Sequence, residues 1–526
     1  MKILRSLVLN LLVALVSIGV VFGTTEWAFR TFSGDRVHTF FDEQTERALG
    51  KPIPKKAPDE YRIFIFGGSA AYGFPVTDRY SISSWLDKSF KHLLPDKKVR
   101  IINCGWVGKA SHHLLEGSRY VLKYEPDLYI IYSGSNEAFL ANRLFTDNAL
   151  YRLNLKLHFR SVFYRWLWSR LHRLRKKIVY GKSGYPERQY REETIAQKVY
   201  RQGEVTSEEL DGILKRFRMN TEEIVRTAHR NGVDVLLTNV PSNLRDIPPS
   251  SSIHRKPLTP EELDQWNRLF ERGKALQKSG KYKKALQAYL EAGTIDPTHA
   301  DLQFRLGKCY DHLKNYGAAK EAYLQAIDFE GYPHRAPSGI NEAIREIAAK
   351  QSAIFVDIIG AFEKRSAQGI VSSDLVFDDV HPSITGQQVI ADEILKALAR
   401  ENKIAPGPEW NWKALETARQ NQASDVWQVD GTLNAYRYIL QGLISWEQKR
   451  YSDAVREFEK GLELMPNFIE SYAFLGDSYL RLGKPEKALS IFKTLQAKDP
   501  SIFETLLRKY PDVQHGYTQS LTQAKR

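Results

Sequence analysis

The run Tyr61-Arg62-Ile63-Phe64-Ile65-Phe66, closed by Gly67-Gly68-Ser69, constrains the fold more than any other feature of the chain. An apolar stretch of strand length reads as a strand buried on both faces, and such strands belong to parallel sheets covered by helices. Similar runs follow. Val99-Arg100-Ile101-Ile102 ends in Asn103-Cys104-Gly105, and Leu128 to Tyr132 ends in Ser133-Gly134-Ser135-Asn136-Glu137. A fourth run spans Asp234 to Val240, before Pro241, and a fifth spans Ile354 to Asp357. Helical patterns fall between them, including 340–350 and, last, 386–399 in outline. The expected fold is α/β, a doubly wound, flavodoxin-like parallel sheet in three layers.

Loops that follow parallel strands share one edge of the sheet, where α/β sites form. Ser69 follows the first strand and would open the next helix, whose amides can hold an anionic oxygen. Far downstream stand Asp378-Asp379-Val380-His381 and Pro382. A serine hydroxyl needs a base to act as a nucleophile, and a histidine can serve if a carboxylate holds its tautomer. Asp378 and His381 are close enough in sequence for one short loop to present both. The expected oxyanion hole is the Ser69 amide, the Gly105 amide and the Asn136 side chain. Each motif has a plainer alternative: a phosphate-binding turn at Gly-Gly-Ser, a helix cap at Asn136, a solvated loop or half a metal site at Asp378–His381. No Lys-Ser/Thr pair follows Ser69 as a P-loop requires. His112, His113, His254, His299 and His312 lack ligand-like spacing and are expected on the surface, with cleft lining as the alternative for His112-His113. No metal or cofactor is called for.

With these residues in this order, the chain resembles the SGNH (GDSL-type) hydrolase family over about 60–140 and 335–400. The family marks fall on Ser69, Gly105, Asn136 and His381, with Asp378 three residues before the histidine. Gly-Gly-Ser stands for the commoner Gly-Asp-Ser, and Gly-Ser-Asn-Glu for Gly-x-Asn-Asp. The resemblance implies a serine acyl-ester hydrolase or O-acyl transferase, often acting on acylated carbohydrates and envelope polymers. It also implies that Asp378, rather than Asp379, orients the base.

Two pairs of segments repeat with an offset of 34 residues. Gly273, Tyr282, Ala285 and Tyr289 recur as Gly307, Tyr316, Ala319 and Tyr323. Gly442, Tyr451, Ala454, Phe458 and Pro466 recur as Gly476, Pro485, Ala488, Phe492 and Pro500. Period and residue set resemble the tetratricopeptide repeat, which implies either a partner-binding groove for protein or a packing element. Two repeats are fewer than an independent solenoid usually needs, so each pair is expected to lean on a neighbour.

Lys2 and Arg5 precede an uncharged run from Leu7 to Gly23, and Trp27, Phe29 and Phe32 follow. That length nearly crosses a bilayer, and the flanks suit an uncleaved signal anchor with the bulk of the chain on the outer side of a cytoplasmic membrane. A cleaved signal peptide is the alternative, although Val21-Phe22-Gly23-Thr24-Thr25 is a poor cleavage site. Formal charge is +14, from 76 Lys+Arg against 62 Asp+Glu. Much of it lies in 152–177, where nine basic residues and no acid are interleaved with Trp166, Phe163 and leucines. The stretch suits a helix on a lipid surface; a packed helix with a solvated basic face is the plainer alternative. Nucleic acid is not expected, since no binding motif accompanies the charge. Cys104 and Cys309 are too few for a disulfide framework and are expected to be free and buried.

The organisation read from these features is an anchor at 1–30 and a linker at 31–59. The hydrolase-like domain follows at 60–260, with a basic insertion at 140–185, and resumes at 333–402 after an inserted repeat pair at 261–332. A second linker at 403–430 leads to C-terminal repeats at 431–526. A second reading of the whole is a non-catalytic, membrane-anchored scaffold that binds protein partners through its repeats.

Overall fold

The structure is a computed structural model of the 526-residue chain. It describes residues 53–74, 80–138, 204–420, 449–466 and 468–500, with short stretches and single positions at 23–25 and within 153–170, 435–446 and 503–522. The expected anchor at 7–23 and most of the basic stretch at 152–177 lie outside the described residues. Among the described residues no helix is long and apolar enough to cross a membrane.

Five parallel strands form one sheet in the order β2-β1-β3-β4-β5. They are β1 (Glu60–Gly67), β2 (Lys98–Gly105), β3 (Leu128–Tyr132), β4 (Asp234–Thr238) and β5 (Ile354–Val356). β1 pairs β2 over its full length, from Glu60 opposite Lys98 to Gly67 opposite Gly105, and pairs β3 from Ile63 opposite Leu128. The chain order reverses across β1 and β3, so the crevice beyond their carboxyl ends is the place where such sheets bind ligands. Arg62, near the amino end of β1, is buried. Glu60 (2.7 Å) and the Tyr124 carbonyl (2.7 Å) satisfy it, as a buried cation requires.

Helices cover both faces. The very short α1 (Ser69–Tyr72) follows β1 directly. One layer contains α2 (Ile82–Leu93), and the other contains α3 (Ser111–Val121) and α4 (Ser207–Arg230). A capping box of Thr206 and Glu209 starts α4, as the sequence Thr-x-x-Glu leads one to expect.

The inserted repeats occupy the β4–β5 connection as α5 (Pro260–Lys278), α6 (Tyr282–Ile295), α7 (Ala300–His312) and α8 (Tyr316–Asp328). The repeating glycines work by close approach. A Cβ on Gly307 would come within 2.6 Å of the Tyr323 ring, and Gly273 meets Tyr289 in the same way. Phe304, Ala319, Tyr323, Ala326 and Ile327 belong to the core of the sheet domain, so α7 and α8 are part of its packing. The two ends of the insert are stapled together. Gly331 N–H donates to the Ser251 carbonyl (3.0 Å), and Glu330 accepts from the Ser250 amide (2.6 Å).

The chain then completes the sheet with α9 (Ser338–Lys350), β5, α10 (Ile358–Arg365) and α11 (Ile384–Arg400). The expected linker from 403 is corrected over its first part. Trp410 is buried against Phe90 (ring centroids 5.9 Å apart), and α12 (Trp412–Gln420) is tied to α11 by an Arg419–Asp392 ion pair. The tryptophan and the salt link place 403–420 within the sheet domain. The C-terminal helices α13 (Tyr451–Leu464), α14 (Glu470–Arg481) and α15 (Pro485–Lys498) gather around a separate core of Phe458, Leu475, Ala488 and Phe492.

Candidate active site

β1 delivers Ser69 to the sheet edge through two glycines. Gly67 lies so close to the Tyr132 carbonyl and Ala71 that a side chain there has no room, and a Cβ on Gly68 would overlap the Asn136 amide nitrogen. The turn that carries Ser69 and the loop after β3 are therefore in direct contact. Ser69 is the first residue of α1, so its amide has no acceptor within the helix.

His381 comes from a compact turn. Val376 and Pro382 form a bridge, the Phe377 amide donates to the His381 carbonyl (3.0 Å), and Ser383 caps α11 immediately afterwards. Within that turn Asp378 Oδ1 accepts the amides of Val380 (2.9 Å) and His381 (2.7 Å), while Oδ2 faces His381 Nδ1 at 2.6 Å. On the other side of the ring, His381 Nε2 is 2.7 Å from Ser69 Oγ. A carboxylate at Nδ1 requires the proton there, which leaves Nε2 as the acceptor for the serine hydroxyl. Both Asp378 and His381 are buried, with 9% and 8% of their surface exposed, so the pair is shielded from competing water. Chemically, this arrangement can deprotonate Ser69 at the mouth of the sheet crevice.

The expected oxyanion donors fare differently. Asn136 is buried beside Gly68 and donates from Nδ2 to the Lys109 carbonyl (3.0 Å), which fixes its amide next to the nucleophile. Gly105 departs from expectation. Its amide donates to Asn103 Oδ1 (2.8 Å), and its α-carbon packs on the Tyr72 backbone. Gly105 is the last rung of β2 opposite Gly67, so it serves close packing of α1 on the strand end. The donors that flank Ser69 are its own amide and Asn136.

Glu137, next to Asn136, is buried and accepts from the Ser111 amide (2.7 Å) and hydroxyl (2.8 Å). It thereby ties the loop after β3 to the start of α3. Burial pushes its carboxyl up to about 7, against the two Ser111 hydrogen bonds.

His334 and Lys109 were not singled out from the sequence, and other groups stand apart from the line through Ser69. Asp379 does not face His381; its Oδ2 pairs with Nδ1 of His334, on the return from the inserted repeats. Burial alone would lower the His334 pKa, but Asp379, with Asp378 and Glu330 beyond it, outweighs burial and raises it to about 9. Asp379 is held down to about 2: burial opposes this, and His334, then Arg335 and His381, overcome it. His113 is buried rather than on the surface, with its ring 3.9 Å from that of His112. Burial holds both imidazoles well below their ordinary range. His254 is half-buried and pairs with buried Asp296 (2.7 Å), whereas His312 is exposed, as expected, and stacks on Tyr282 at 3.8 Å. Lys109 lies over the Trp106 ring (4.5 Å), and burial lowers its ammonium to about 8. Cys104 and Cys309 are free and buried. Among the described residues no cluster of His, Cys, Asp and Glu could hold a metal ion.

The tetratricopeptide repeat family model matches residues 276–330 and 445–510. The BBSome complex member BBS4 homolog of Drosophila melanogaster is 33% identical over 63 residues, 12% of this chain, and the chain spans 13% of that relative's length. Similar solved structures include the acetylxylan esterase Axe2 from Geobacillus stearothermophilus, at 12% identity and a TM-score of 0.28, covering 64% of this chain and 94% of that one. A putative GDSL-like lipase from Parabacteroides merdae gives 12% identity and a TM-score of 0.31, covering 65% and 98%. A GDSL-like lipase from Bacteroides thetaiotaomicron gives 11% and 0.31, covering 69% and 98%. The chain is similar to the tetratricopeptide repeat over these two helical segments.

Proposed function

We propose that this protein is a serine acyl-ester hydrolase or O-acyl transferase of the SGNH kind, acting on an acylated carbohydrate or envelope component. The observation that carries the reading is the continuous hydrogen-bonded line Ser69 Oγ, His381 Nε2, His381 Nδ1, Asp378 Oδ2. Ser69 Oγ attacks the acyl carbon as His381 Nε2 takes its proton. The carbonyl oxygen becomes an oxyanion beside the Ser69 amide and Asn136 Nδ2. The C–O bond to the alcohol then breaks, and His381 returns its proton to the departing alkoxide, leaving an acyl-serine. A water, or a sugar hydroxyl in a transferase, gives its proton to His381 and attacks the acyl-serine; Ser69 leaves with that proton. Hydrolysis and transfer use the same residues and differ only in the acceptor.

The test is labelling of the full chain by a fluorophosphonate together with acetyl-ester turnover. The wild type is expected to label once and turn over ester, and Ser69→Ala to do neither. Turnover that survives Ser69→Ala removes the serine mechanism, and a wild type that neither labels nor turns over ester leaves the scaffold reading.

We further propose that residues 7–23 anchor the protein in the cytoplasmic membrane with the catalytic domain on the outer side, and that 152–177 lies against lipid. The uncharged run, its basic lead and its aromatic flank support this. The mature chain is expected to keep its N-terminus and to stay with membranes through a high-salt wash. A soluble chain beginning near Thr24 overturns the anchor. The repeats are proposed to bind a protein partner in addition to packing.

A further inference from the structure

A line of aromatic rings ties the catalytic histidine to the C-terminal repeat module. Phe74 follows α1, and its amide donates to the Ser69 carbonyl (3.0 Å), which fixes it beside the nucleophile. Its ring lies 4.9 Å from the His381 imidazole. The same ring meets Tyr436 edge-on at 6.1 Å, and Tyr436 meets Phe468 at 6.0 Å. Phe468 packs against the core of the C-terminal module.

The position of Tyr436 is well determined by its neighbours. Residues 435–439 are helical, and Ala435 and Ile439, one turn apart on the same face, are buried. They press on Gly461 of α13 so closely that a Cβ there would lie 2.6 Å from Ile439 Cγ1 and 3.1 Å from the Ala435 carbonyl. This backbone-to-backbone contact fixes the helix on the module. Tyr436 itself is half-buried and belongs to a helix held by the repeats, yet it touches the residue that touches His381.

We propose that the C-terminal repeat module forms one wall of the catalytic pocket, and that Tyr436, acting through Phe74, is a positioning residue that selects ring-shaped alcohols as the leaving part of the ester. The inference deepens the acyl-transfer reading and rests on it for the identity of the reaction. His381 returns the proton to the leaving oxygen, so the groups flanking its imidazole meet the alcohol rather than the tail of the acyl chain. Phe74 is such a group. An aromatic face braced edge-on by a second ring offers a flat apolar surface, which suits the C–H face of a pyranose better than a short open-chain alcohol. The module thus shapes the alcohol side of the site, whatever else its groove binds.

The test uses the full chain and two acetyl esters that differ in the alcohol: ethyl acetate and a methyl tri-O-acetyl-xylopyranoside. In Tyr436→Ala the ratio of kcat/KM for the sugar ester to that for ethyl acetate is expected to fall about five- to tenfold, mainly through KM. Tyr436→Phe, which keeps the ring, is expected to retain the wild-type ratio. An unchanged ratio in Tyr436→Ala, or an equal fall on both esters, overturns the proposal. A second measurement is independent of turnover. In histidine-labelled full chain, the His381 Cε1 resonance is expected to shift in Tyr436→Ala and to stay in place in Tyr438→Ala, whose ring faces Arg437 and Lys460. If neither ester is hydrolysed by the wild type and the resonance still shifts, the acyl-transfer reading fails while the wall stands. If the resonance does not shift, the wall fails whatever the turnover.

Discussion

Asp378 and Asp379 are adjacent in the chain and serve different histidines: Asp378 holds His381, and Asp379 holds His334. His334 lies just beyond the inserted repeats, next to buried Arg335, whose guanidinium binds the carbonyls of Asn243 (3.3 Å) and Ile247 (3.0 Å). The Asn243 amide in turn donates to the Asp379 carbonyl (3.2 Å). The turn that carries Asp378 and His381 is thereby fastened to the loop after β4 and to the return of the insert.

Asp379→Asn is therefore expected to be more than a mild change. It leaves a partly buried imidazolium without its counter-charge, at a cost on the order of 2 kcal/mol, below the range for fully buried pairs because both groups keep some solvent contact. Asp378→Asn is expected to differ in kind, with turnover falling by several orders of magnitude while the melting temperature moves less. Thermal melts and ester kinetics on the two variants separate these roles. The opposite ranking, with Asp379→Asn the more damaging to turnover and the less damaging to stability, would reassign them.

The His334–Asp379 pair also sets a pH dependence. The folded pKa of His334 is raised from 6.5 to about 9, so its contribution to stability is complete below about 6.5 and is lost as pH rises through about 9. Asp379 is lowered from 3.8 to about 2, so its contribution is complete above about 4 and is lost as pH falls through about 2. The difference in melting temperature between wild type and His334→Gln is expected to be largest near pH 5–6 and to shrink steadily toward pH 9. A difference that grows from pH 6 to 9 contradicts the assignment.

The two glycines near the site are expected to fail differently when replaced. Asn136→Ala removes one proposed oxyanion donor and should lower kcat by about 100- to 1000-fold with little change in stability. Gly68→Ala drives a methyl group into the Asn136 amide and should mimic that loss in part, by about tenfold or more. Gly105→Ala instead meets the Tyr72 backbone, which cannot move aside, so it should lower the melting temperature. Kinetics and melts on the three variants together tell whether Gly105 acts in packing or in the oxyanion hole.

The sheet was legible because buried parallel strands are contiguous apolar runs, and all five stand out between glycines, prolines and polar turns. Ser69, Asn136, Asp378 and His381 were legible because each sits at a strand end or in the last loop. The packing of Gly105 on the Tyr72 backbone was not legible, for a geometric reason. A glycine at a strand end can face a ligand or admit a neighbouring backbone, and only the register with Gly67 decides between them. His334 and Asp379 are 45 residues apart and meet only because the insert returns to the sheet beside the Asp378–His381 turn. No local pattern carries that contact. The packing of 403–420 did leave a signal: Trp410 and Trp412 stand in a stretch otherwise read as linker, and a buried tryptophan argues against one.

The repeats offer a last prediction, because identical motifs sit in different surroundings. Gly307 admits Tyr323, and Gly476 admits Phe492, each with only 2.6 Å available for a Cβ. An alanine at either position forces the ring and its helix apart, an overpacking cost of about 1–3 kcal/mol. Tyr323 belongs to the core of the sheet domain, whereas Phe492 belongs to the separate C-terminal core. Gly307→Ala is therefore expected to lower the unfolding temperature of the sheet domain itself. Gly476→Ala is expected to loosen only the C-terminal module, seen as faster hydrogen exchange in 451–498 with unchanged protection of β1 and β3. Equal loss of protection in β1 and β3 in both variants would mean that the two modules and the sheet unfold as one unit.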